Sequence, residues 1–371
     1  MDADIPGRRS TAAVGAPVRA PLTAGSAGIC RDPVLIIGTE RSGSNVLRLV
    51  LNAHPDIAVP HPPHFMRYFG PLADVYGDLA VPANKRRLAR DAYALLRRHI
   101  HPWEHPIDVE RVVQDASPTL FGVVAEFYEQ YRRAEGKRRW GCKSTFMVDA
   151  VDEVLAERPG ARFIWLVRDP RDVAVSATRA VFGPSHPYSM ACLWAEQQRR
   201  AADAADRLGD EQVLLVRYED LVARPEKEII RVCAFLGERP VPEMLAPHRS
   251  ASARRIAALS ESWRNTGRPI TTSSVGRYQD ALSAGDLRAV ECAAAALMPR
   301  LGYTPVTGGE DRRPSALGVR WRGTLLRTRI ELRSLRHDRN HLLRWRRDLL
   351  VRRLRLKAAA RRIAPRRTEA L

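Results

Sequence analysis

The sequence is poor in the residues and runs that would define a membrane, disulfide-linked or metal-dependent protein. Its 371 residues include five cysteines, scattered singly without disulfide or metal-site spacing. The ten histidines show no metal-ligand pattern. No run of 18 apolar residues is present, so a transmembrane helix is not expected. We therefore expect a cytoplasmic protein that needs no metal.

Acidic residues are scarce only at the end of the chain. Residues 312–371 contain 20 Lys and Arg against 4 Asp and Glu, whereas the remainder contains 41 and 38. The net charge of +19 therefore belongs mainly to this segment. Because the body is almost neutral, the composition argues against nucleic acid as a partner.

These composition shifts suggest three parts. Residues 1–32, rich in Ala, Gly, Pro and Arg, are expected to form a disordered tail, and residues 33–305 to form one domain. Residues 306–371 form a basic, partly helical extension, in which Trp345 and several leucines recur among arginines. This extension is either a solvated helix or a helix that contacts an anionic membrane peripherally, at its inner face.

The strongest local pattern is an apolar strand followed by a loop of small residues and a helix. Residues 34–37 read as a strand buried on both faces, Gly38 ends it, and a helix follows from Asn45. The loop between them supplies Arg41, Ser42, Gly43 and Ser44. Backbone N–H groups at a helix start favour an anion, which these side chains would also bind. A tight turn without a ligand is the alternative.

The spacing of Gly38 and Gly43 is that of the first half of a nucleotide P-loop. Ser44 and Asn45 stand where that motif has Lys and Ser or Thr. A kinase needs this lysine on the terminal phosphates and this hydroxyl on Mg²⁺. The loop is therefore predicted to hold phosphate without the usual metal chemistry.

Further apolar segments at residues 57–59, 139–143, 162–168 and 213–218 alternate with helical patterns. This alternation predicts an α/β fold, a parallel β-sheet flanked by helices. Ser117 before Pro118 predicts a helix start, and residues 260–280 resemble a polar loop. Ligands of such sheets bind at the carboxyl ends of the strands. That edge would gather the following residues: Arg41, His61, Lys143, Arg168 and Tyr218.

A second anion site is predicted from Arg168 and Ser176. Arg168 ends a strand, and Ser176 lies about two turns into the next helix. Both side chains would reach one phosphate at the sheet edge. The alternatives are a salt bridge from Arg168 to Asp169 or Asp172, and a solvent-facing Ser176.

Five segments, in order between residues 33 and 303, together resemble sulfotransferases that use 3′-phosphoadenylyl sulfate (PAPS). Residues 38–45 resemble the 5′-phosphosulfate loop, and residues 166–176 resemble the 3′-phosphate motif with Arg168 and Ser176. Residues 140–144 resemble the segment with the catalytic lysine, here Lys143. Residues 217–221 resemble the motif that lies near the adenine, which here contains Tyr218. Residues 274–278 resemble the segment that closes on the cofactor through Ser274, Gly276 and Arg277.

The resemblance implies a P-loop NTPase-like sulfotransferase fold and sulfuryl transfer from PAPS to an acceptor hydroxyl. The acceptor class stays open among carbohydrate, lipid-linked and small molecules. Lys143 and Arg41 would stabilise the leaving phosphate oxygen without a metal. A P-loop-like small-molecule kinase and a non-catalytic binding protein of this fold are the alternatives.

Two positions depart from the resemblance. Glu40 precedes Arg41 where many members have proline, and a carboxylate there is unfavourable unless it points away or pairs with Arg41. Pro62 stands where a glutamate base is usual. Its neighbours His61 and His64 are the candidate bases, because imidazole titrates near neutral pH. Structural roles for both histidines are equally open.

Overall fold

The apolar segments form a five-stranded parallel sheet. In a computed structural model, which describes residues 31–259, 261–308 and 313–363, the strand order is β2-β3-β1-β4-β5 and every pair is parallel. The strands are β1 (Val34–Gly38), β2 (Ile57–Ala58), β3 (Arg139–Lys143), β4 (Arg162–Val167) and β5 (Val213–Arg217). The predicted α/β fold class is confirmed.

The central strand is buried on both faces, as its unbroken apolar sequence predicts. Leu35 and Ile37 belong to one hydrophobic core, and Val34 and Ile36 belong to the other. All four side chains are fully buried. Successive side chains of a strand point to opposite faces, so β1 joins the two layers of helices that cover the sheet.

Helices connect and cover the strands. The first seven are α1 (Ser44–Ala53), α2 (Phe65–Phe69), α3 (Pro82–Arg97), α4 (Val109–Asp115), α5 (Leu120–Ala134), α6 (Val151–Glu157) and α7 (Pro170–Ala177). They are followed by α8 (Pro187–Leu208), α9 (Tyr218–Ala223), α10 (Pro225–Leu236), α11 (Ala251–Leu259), α12 (Tyr278–Ala281), α13 (Ala284–Ala294), α14 (Ala316–His337) and α15 (His341–Ile363). Short 3-10 helices span Gly70–Tyr76, Thr145–Ala150, Pro242–Leu245, Pro247–Arg249, Glu261–Gly267 and Pro299–Leu301.

Two local predictions are corrected. Thr119, not Ser117, caps α5, because its Oγ1 accepts from the N–H of Gly122 at 2.9 Å. Ser117 instead donates to Glu157 at 2.5 Å. The segment 260–280 is not a plain loop, since it contains the 3-10 helix Glu261–Gly267 and α12. Trp263, within this segment, is buried in a small hydrophobic core with Ile100 and Ile256.

The chain is attached to the domain from the first described residue. Residues 1–30 of the predicted disordered tail lie outside the described residues. Arg31 donates to the carbonyl of Gly237 at 2.8 Å and pairs with Glu238 at 2.9 Å. The carbonyl of Asp32 accepts from Arg139 at 2.7 Å. Residues 31 and 32, the end of that predicted tail, are therefore held against the domain.

The basic extension folds as a helical hairpin, α14 and α15, that packs on the domain. Val351, Leu354 and Ala358 of α15 are buried in the larger core. Two ion pairs connect the hairpin to the domain: Arg362 pairs with Asp74 at 2.6 Å, and Arg322 pairs with Asp286 at 2.5 Å. Among the described residues, no helix is long and apolar enough to cross a bilayer.

Candidate active site

The sheet edge formed by the carboxyl ends of the strands opens into one large cavity. Its volume is about 900 Å³. Lys143, the last residue of β3, lines it together with Arg41, Arg168 and Tyr218, which follow three other strands. His61, which follows β2, lines it as well. The sequence-predicted edge therefore exists, because parallel strands place their carboxyl ends together.

The loop after β1 has the backbone of an anion-binding turn. Arg41 and Gly43 both adopt positive φ angles, 72° and 87°. Gly43 caps α1 without a side-chain hydrogen bond, and the helix begins at Ser44, one residue earlier than predicted. Gly43, Ser44 and Asn45 line the cavity. The first N–H groups of α1 lack acceptors within the helix, so they are available to an anion.

Arg41 and Ser176 join the two predicted phosphate motifs. Arg41 Nε donates to Ser176 Oγ at 3.0 Å. The strands that precede these motifs, β1 and β4, are neighbours in the sheet, and their register places Gly38 beside Leu166. Ser176 therefore contacts Arg41 rather than Arg168, and both predicted residues line the same cavity.

Arg168 organises the loops around the cavity. Its guanidinium donates to the carbonyls of Arg41 at 3.0 Å and Ser274 at 2.5 Å. It also lies 4.7 Å from the ring centroid of Tyr218, a cation–π contact. The alternative salt bridge from Arg168 to Asp172 is long, with 3.9 Å between Nη2 and Oδ2. Arg168 Nε has no partner among the described residues, so one buried donor is left for a ligand.

The segment 274–278 closes on the cavity through its backbone. Asp172 holds it, accepting from the N–H of Gly276 at 2.8 Å and of Tyr278 at 3.0 Å. Ser274 and Arg277 line the cavity, whereas Gly276 does not. Ser42 is also outside it, because its side chain is fully buried beneath the loop. Among the predicted cofactor-binding residues, Ser42 and Gly276 therefore do not line the cavity.

Cations crowd the cavity. Burial, together with the charges of Arg48 and Arg41, lowers the pKa of Lys143 to about 8, although the charge of Glu40 opposes this shift. Burial and the charge of Arg168 lower the pKa of Arg41 to about 10. A bound anion would relieve both effects, because it favours the charged form of each cation. The residues present therefore fit a polyanionic ligand.

His64 is held at the cavity in a specific orientation. Its backbone lies in the left-handed region at φ 57°, and its Nδ1 is 2.9 Å from Ser144 Oγ. Burial, with the charge of Lys143, lowers the pKa of His64 well below its ordinary value. The ring is therefore neutral at physiological pH. If Nδ1 carries the proton to Ser144, Nε2 presents a lone pair.

His61 lies deeper than His64, in a cluster of histidines. Its ring centroid is 5.1 Å from that of His99 and 5.3 Å from that of His101. Burial, followed by the charges of these neighbours, lowers the pKa of His61 well below its ordinary value. Neither ring nitrogen has a partner among the described residues. His61 is 5% exposed, whereas His64 is half-buried, so His61 has less access to the cavity than His64.

Glu40 makes a contact that the sequence analysis did not consider. It pairs with Arg67 of α2, Oε1 to Nη1 at 3.6 Å, and not with Arg41. Arg67 also stacks over the ring of Phe146, with its guanidinium carbon 4.2 Å from the centroid. Sequence analysis missed Arg67, because no motif marks it and only the packing of α2 brings it to the cavity.

The comparison with protein families gives the class of this fold. A profile of the sulfotransferase family matches residues 33–243, more than half of the chain. The chain belongs to this family. The nodulation protein NoeE of Sinorhizobium fredii is 28% identical over 291 residues, which are 72% of this chain and 65% of NoeE. The chain thus spans less than two thirds of that relative.

Two further comparisons agree with this family. A putative protein-tyrosine sulfotransferase of Caenorhabditis briggsae is 24% identical over 284 residues, 75% of this chain and 91% of the relative. The sulfotransferase domain from the Synechococcus PCC 7002 olefin synthase has a similar structure, with a TM-score of 0.53 and 20% identity. That likeness covers 75% of this chain and 98% of the domain, and it supports the fold.

Proposed function

We propose that this protein transfers the sulfuryl group of PAPS to an acceptor hydroxyl. The observation that carries the proposal is the convergence of Arg41, Lys143 and Arg168, from three separate motifs, on one cavity at the sheet edge. Their mutual repulsion and the unpartnered Arg168 Nε suit a ligand with several negative charges. PAPS carries a 5′-phosphosulfate and a 3′-phosphate.

The donor is assigned to the loop and to the neighbouring segments. Arg41, Ser44, Asn45 and the backbone of Gly43 would hold the 5′-phosphosulfate at the start of α1. Around its 3′-phosphate and adenine we place Arg168, Ser176, Tyr218, Ser274 and Arg277. Ser42 and Gly276 would act indirectly, by shaping the loop and the closing segment. When bound, PAPS supplies an activated sulfuryl group.

His64 is the proposed general base. Its Nε2 takes the proton from the acceptor hydroxyl while a bond forms between the acceptor oxygen and sulfur. The bond from sulfur to the 5′-phosphate oxygen breaks, and Lys143 and Arg41 stabilise the charge left on that oxygen. His61 supports the wall behind His64. This step asks for no metal ion.

Two alternatives make different predictions. A P-loop-like kinase would bind ATP with Mg²⁺, although Ser44 stands where its lysine is needed. A non-catalytic binding protein would bind the donor and transfer nothing, and Pro62 at the usual base position favours it.

Thermal unfolding with 3′-phosphoadenosine 5′-phosphate (PAP), the spent donor, distinguishes the sulfotransferase from the kinase. A ligand that binds only the folded state raises the melting temperature. We expect PAP in EDTA to raise it, and ATP with Mg²⁺ to change it little. The reverse pattern would favour the kinase.

A screen with labelled PAPS separates the enzyme from the binding protein. Candidate acceptors are carbohydrate, lipid-linked and small-molecule hydroxyls. Transfer of label to an acceptor is expected. PAP binding without transfer to any of these classes would favour the binding protein.

A further inference from the structure

The basic hairpin forms one wall of the proposed active-site cavity. Six of its arginines line the cavity, and we call this set the hairpin wall: Arg327, Arg333, Arg344, Arg347, Arg352 and Arg355. Two carboxylates, Glu331 and Asp348, line it beside them. The wall is therefore strongly cationic, although sequence analysis assigned these residues to a separate extension.

One face of α15 supplies most of the wall. Arg344, Arg347, Arg352 and Arg355 are spaced by three, five and three residues, which spreads them over about 140° of the helix surface, one broad face, at 3.6 residues per turn. Arg353, the immediate neighbour of Arg352, does not line this cavity but a second, smaller groove. Neighbouring arginines of α15 therefore lie on different sides of the helix, some at the cavity and others at the outer groove.

The wall is fixed in place by packing on both sides. Leu343 packs against the small core around Trp263. Val351, which comes just before Arg352 in the sequence, is buried in the larger core of the domain. Arg362, beyond the wall, also donates to the carbonyl of Pro71 at 2.8 Å. A rigid wall can recognise a ligand without the cost of ordering a loose segment.

The wall reaches the acceptor side of the cavity, near the proposed base. The guanidinium carbons of Arg347 and Arg67 each lie 5.9 Å from the ring centroid of Tyr68. The charge of Arg347 contributes to the low pKa of His64, after burial and nearer charges. Arg347 and His64, the proposed base, therefore line the same cavity.

Internal partners neutralise only part of the wall. Arg344 donates to Ser334 at 2.5 Å and approaches Glu331 at 3.5 Å, while Arg347 pairs with Asp348 at 2.8 Å. Among the described residues, Arg352 and Arg355 have no hydrogen bond or ion pair. A surplus of cations remains on this side after the donor residues are set aside.

We propose that the hairpin wall selects an acceptor that carries an anionic group, a carboxylate, sulfate or phosphate, in addition to the hydroxyl. The anionic group lies against Arg347 and Arg352, and the hydroxyl lies at His64. Guanidinium groups suit such anions because they donate two parallel hydrogen bonds. This inference rests on the proposed sulfotransferase function, and it names the acceptor class that the comparisons leave open.

Two double variants with equal charge test the proposal. Arg347→Ala/Arg352→Ala removes two of the wall's six arginines, and Arg346→Ala/Arg353→Ala removes the same charge from neighbouring positions outside the cavity. PAP-saturated protein is titrated calorimetrically with three pairs of hydroxyl compounds. The pairs are 4-nitrophenyl β-glucuronide and β-glucoside, glucose 6-phosphate and glucose, and 4-hydroxyphenylacetate and 4-hydroxyphenylethanol.

We expect at least one charged compound to bind roughly tenfold or more tightly than its neutral partner, in line with charge-assisted hydrogen bonds. The cavity variant should lose this preference, and the outer variant should keep it. PAP affinity should be the same in both variants. The transfer assay with labelled PAPS should follow the same order.

Four outcomes overturn the proposal. They are no preference for any charged compound, equal loss in both variants, loss of PAP affinity in the cavity variant, and failure of all charged compounds to bind. Weaker PAP affinity would assign the arginines to the donor. If no charged compound binds and the cavity variant alone loses affinity for anionic vesicles, the arginines belong to a membrane surface. Failure of unaltered protein to bind PAP is a distinct result, which refutes the donor assignment and this inference with it.

Discussion

Gly43 lies directly against the ring of Tyr218. A Cβ atom on Gly43 would be 2.3 Å from Tyr218 Cδ2 and 2.5 Å from Cε2, far inside van der Waals contact. The anion-binding loop and the start of α9 are therefore packed without space for a side chain. The Arg168 guanidinium also stacks over the ring of Tyr218. Tyr218 therefore contacts both the loop and the second predicted phosphate motif.

Gly43→Ala should disrupt the loop and PAP binding together. The added methyl group would displace Tyr218 or the loop, and the φ of 87° is strained for alanine. We expect a loss of about 2 kcal/mol in the free energy of unfolding and at least tenfold weaker PAP binding. Chemical denaturation and calorimetry measure the two effects.

Gly136→Ala is the matched control. Gly136 has a φ of 66°, and nothing lies within 4 Å of its added Cβ. This variant should lose only about 1 kcal/mol, the strain of the left-handed conformation, and keep its PAP affinity. Equal behaviour of the two variants would show that the contact with Tyr218 has no role.

PAP affinity should fall as pH rises through about 8. The pKa of Lys143 is lowered to about 8 in the empty cavity, so the ammonium group is present below that pH and is lost above it. Binding at higher pH must take up a proton, and the dissociation constant should rise about tenfold between pH 7.5 and 9. The phosphates of PAP stay ionised across this range, since their second pKa is about 6.

Lys143→Arg isolates this effect. A guanidinium remains protonated at pH 9, so the variant should show little pH dependence over the same interval. Calorimetry in buffers of different ionisation enthalpy should report proton uptake by the unaltered protein only. A pH-independent affinity in the unaltered protein would contradict the role given to Lys143.

His64→Gln should slow transfer without weakening donor binding. The loss of a general base lowers kcat by about 100-fold or more. Ser144→Ala, which removes the partner of His64 Nδ1, should cause a smaller loss, because the ring keeps its lone pairs but not its orientation. Steady-state kinetics with an acceptor from the labelled-PAPS screen measure both. A kcat for His64→Gln within about threefold of the unaltered value would exclude His64 as the base.

Contact with an anionic membrane stays a prediction from the sequence. The hairpin leaves Leu342 70% and Leu356 72% exposed, on a surface that also carries arginines. We expect the protein to sediment with vesicles containing phosphatidylserine, and Leu342→Glu/Leu356→Glu to reduce this. Vesicles of phosphatidylcholine alone are the control. Equal sedimentation of both proteins would remove these leucines from any membrane contact.

Local patterns predicted the strands well, and they predicted which side chains share one edge of the sheet. Apolar runs marked β1 and β4 because both strands are buried on two faces. Arg41, Lys143 and Arg168 all line the cavity because each lies at or just after the carboxyl end of a strand. The partner of Ser176 was less accessible. Arg168 is closer to it in sequence, but the pairing of β1 with β4 brings Arg41 instead.

The sequence could not predict the cavity wall that contains Arg67 and Arg347. Arg67 and Arg347 reach the cavity through the packing of α2 and α15, and no spacing relates them to the phosphate motifs. The burial of residues such as Val351 and Leu354 places α15 on the domain. In the sequence, those residues are only part of an amphipathic pattern, which is equally typical of a solvated or membrane-bound helix.

Calorimetric titration with PAP in EDTA tests whether this cavity is the donor site. We expect micromolar or tighter binding by the unaltered protein and about 10- to 100-fold weaker binding by Arg168→Ala, because charge-assisted hydrogen bonds are lost. Arg199→Ala, which removes an exposed arginine of α8, should bind as the unaltered protein does. Absence of PAP binding, or equal affinity in Arg168→Ala, would contradict the assignment of this cavity to PAPS.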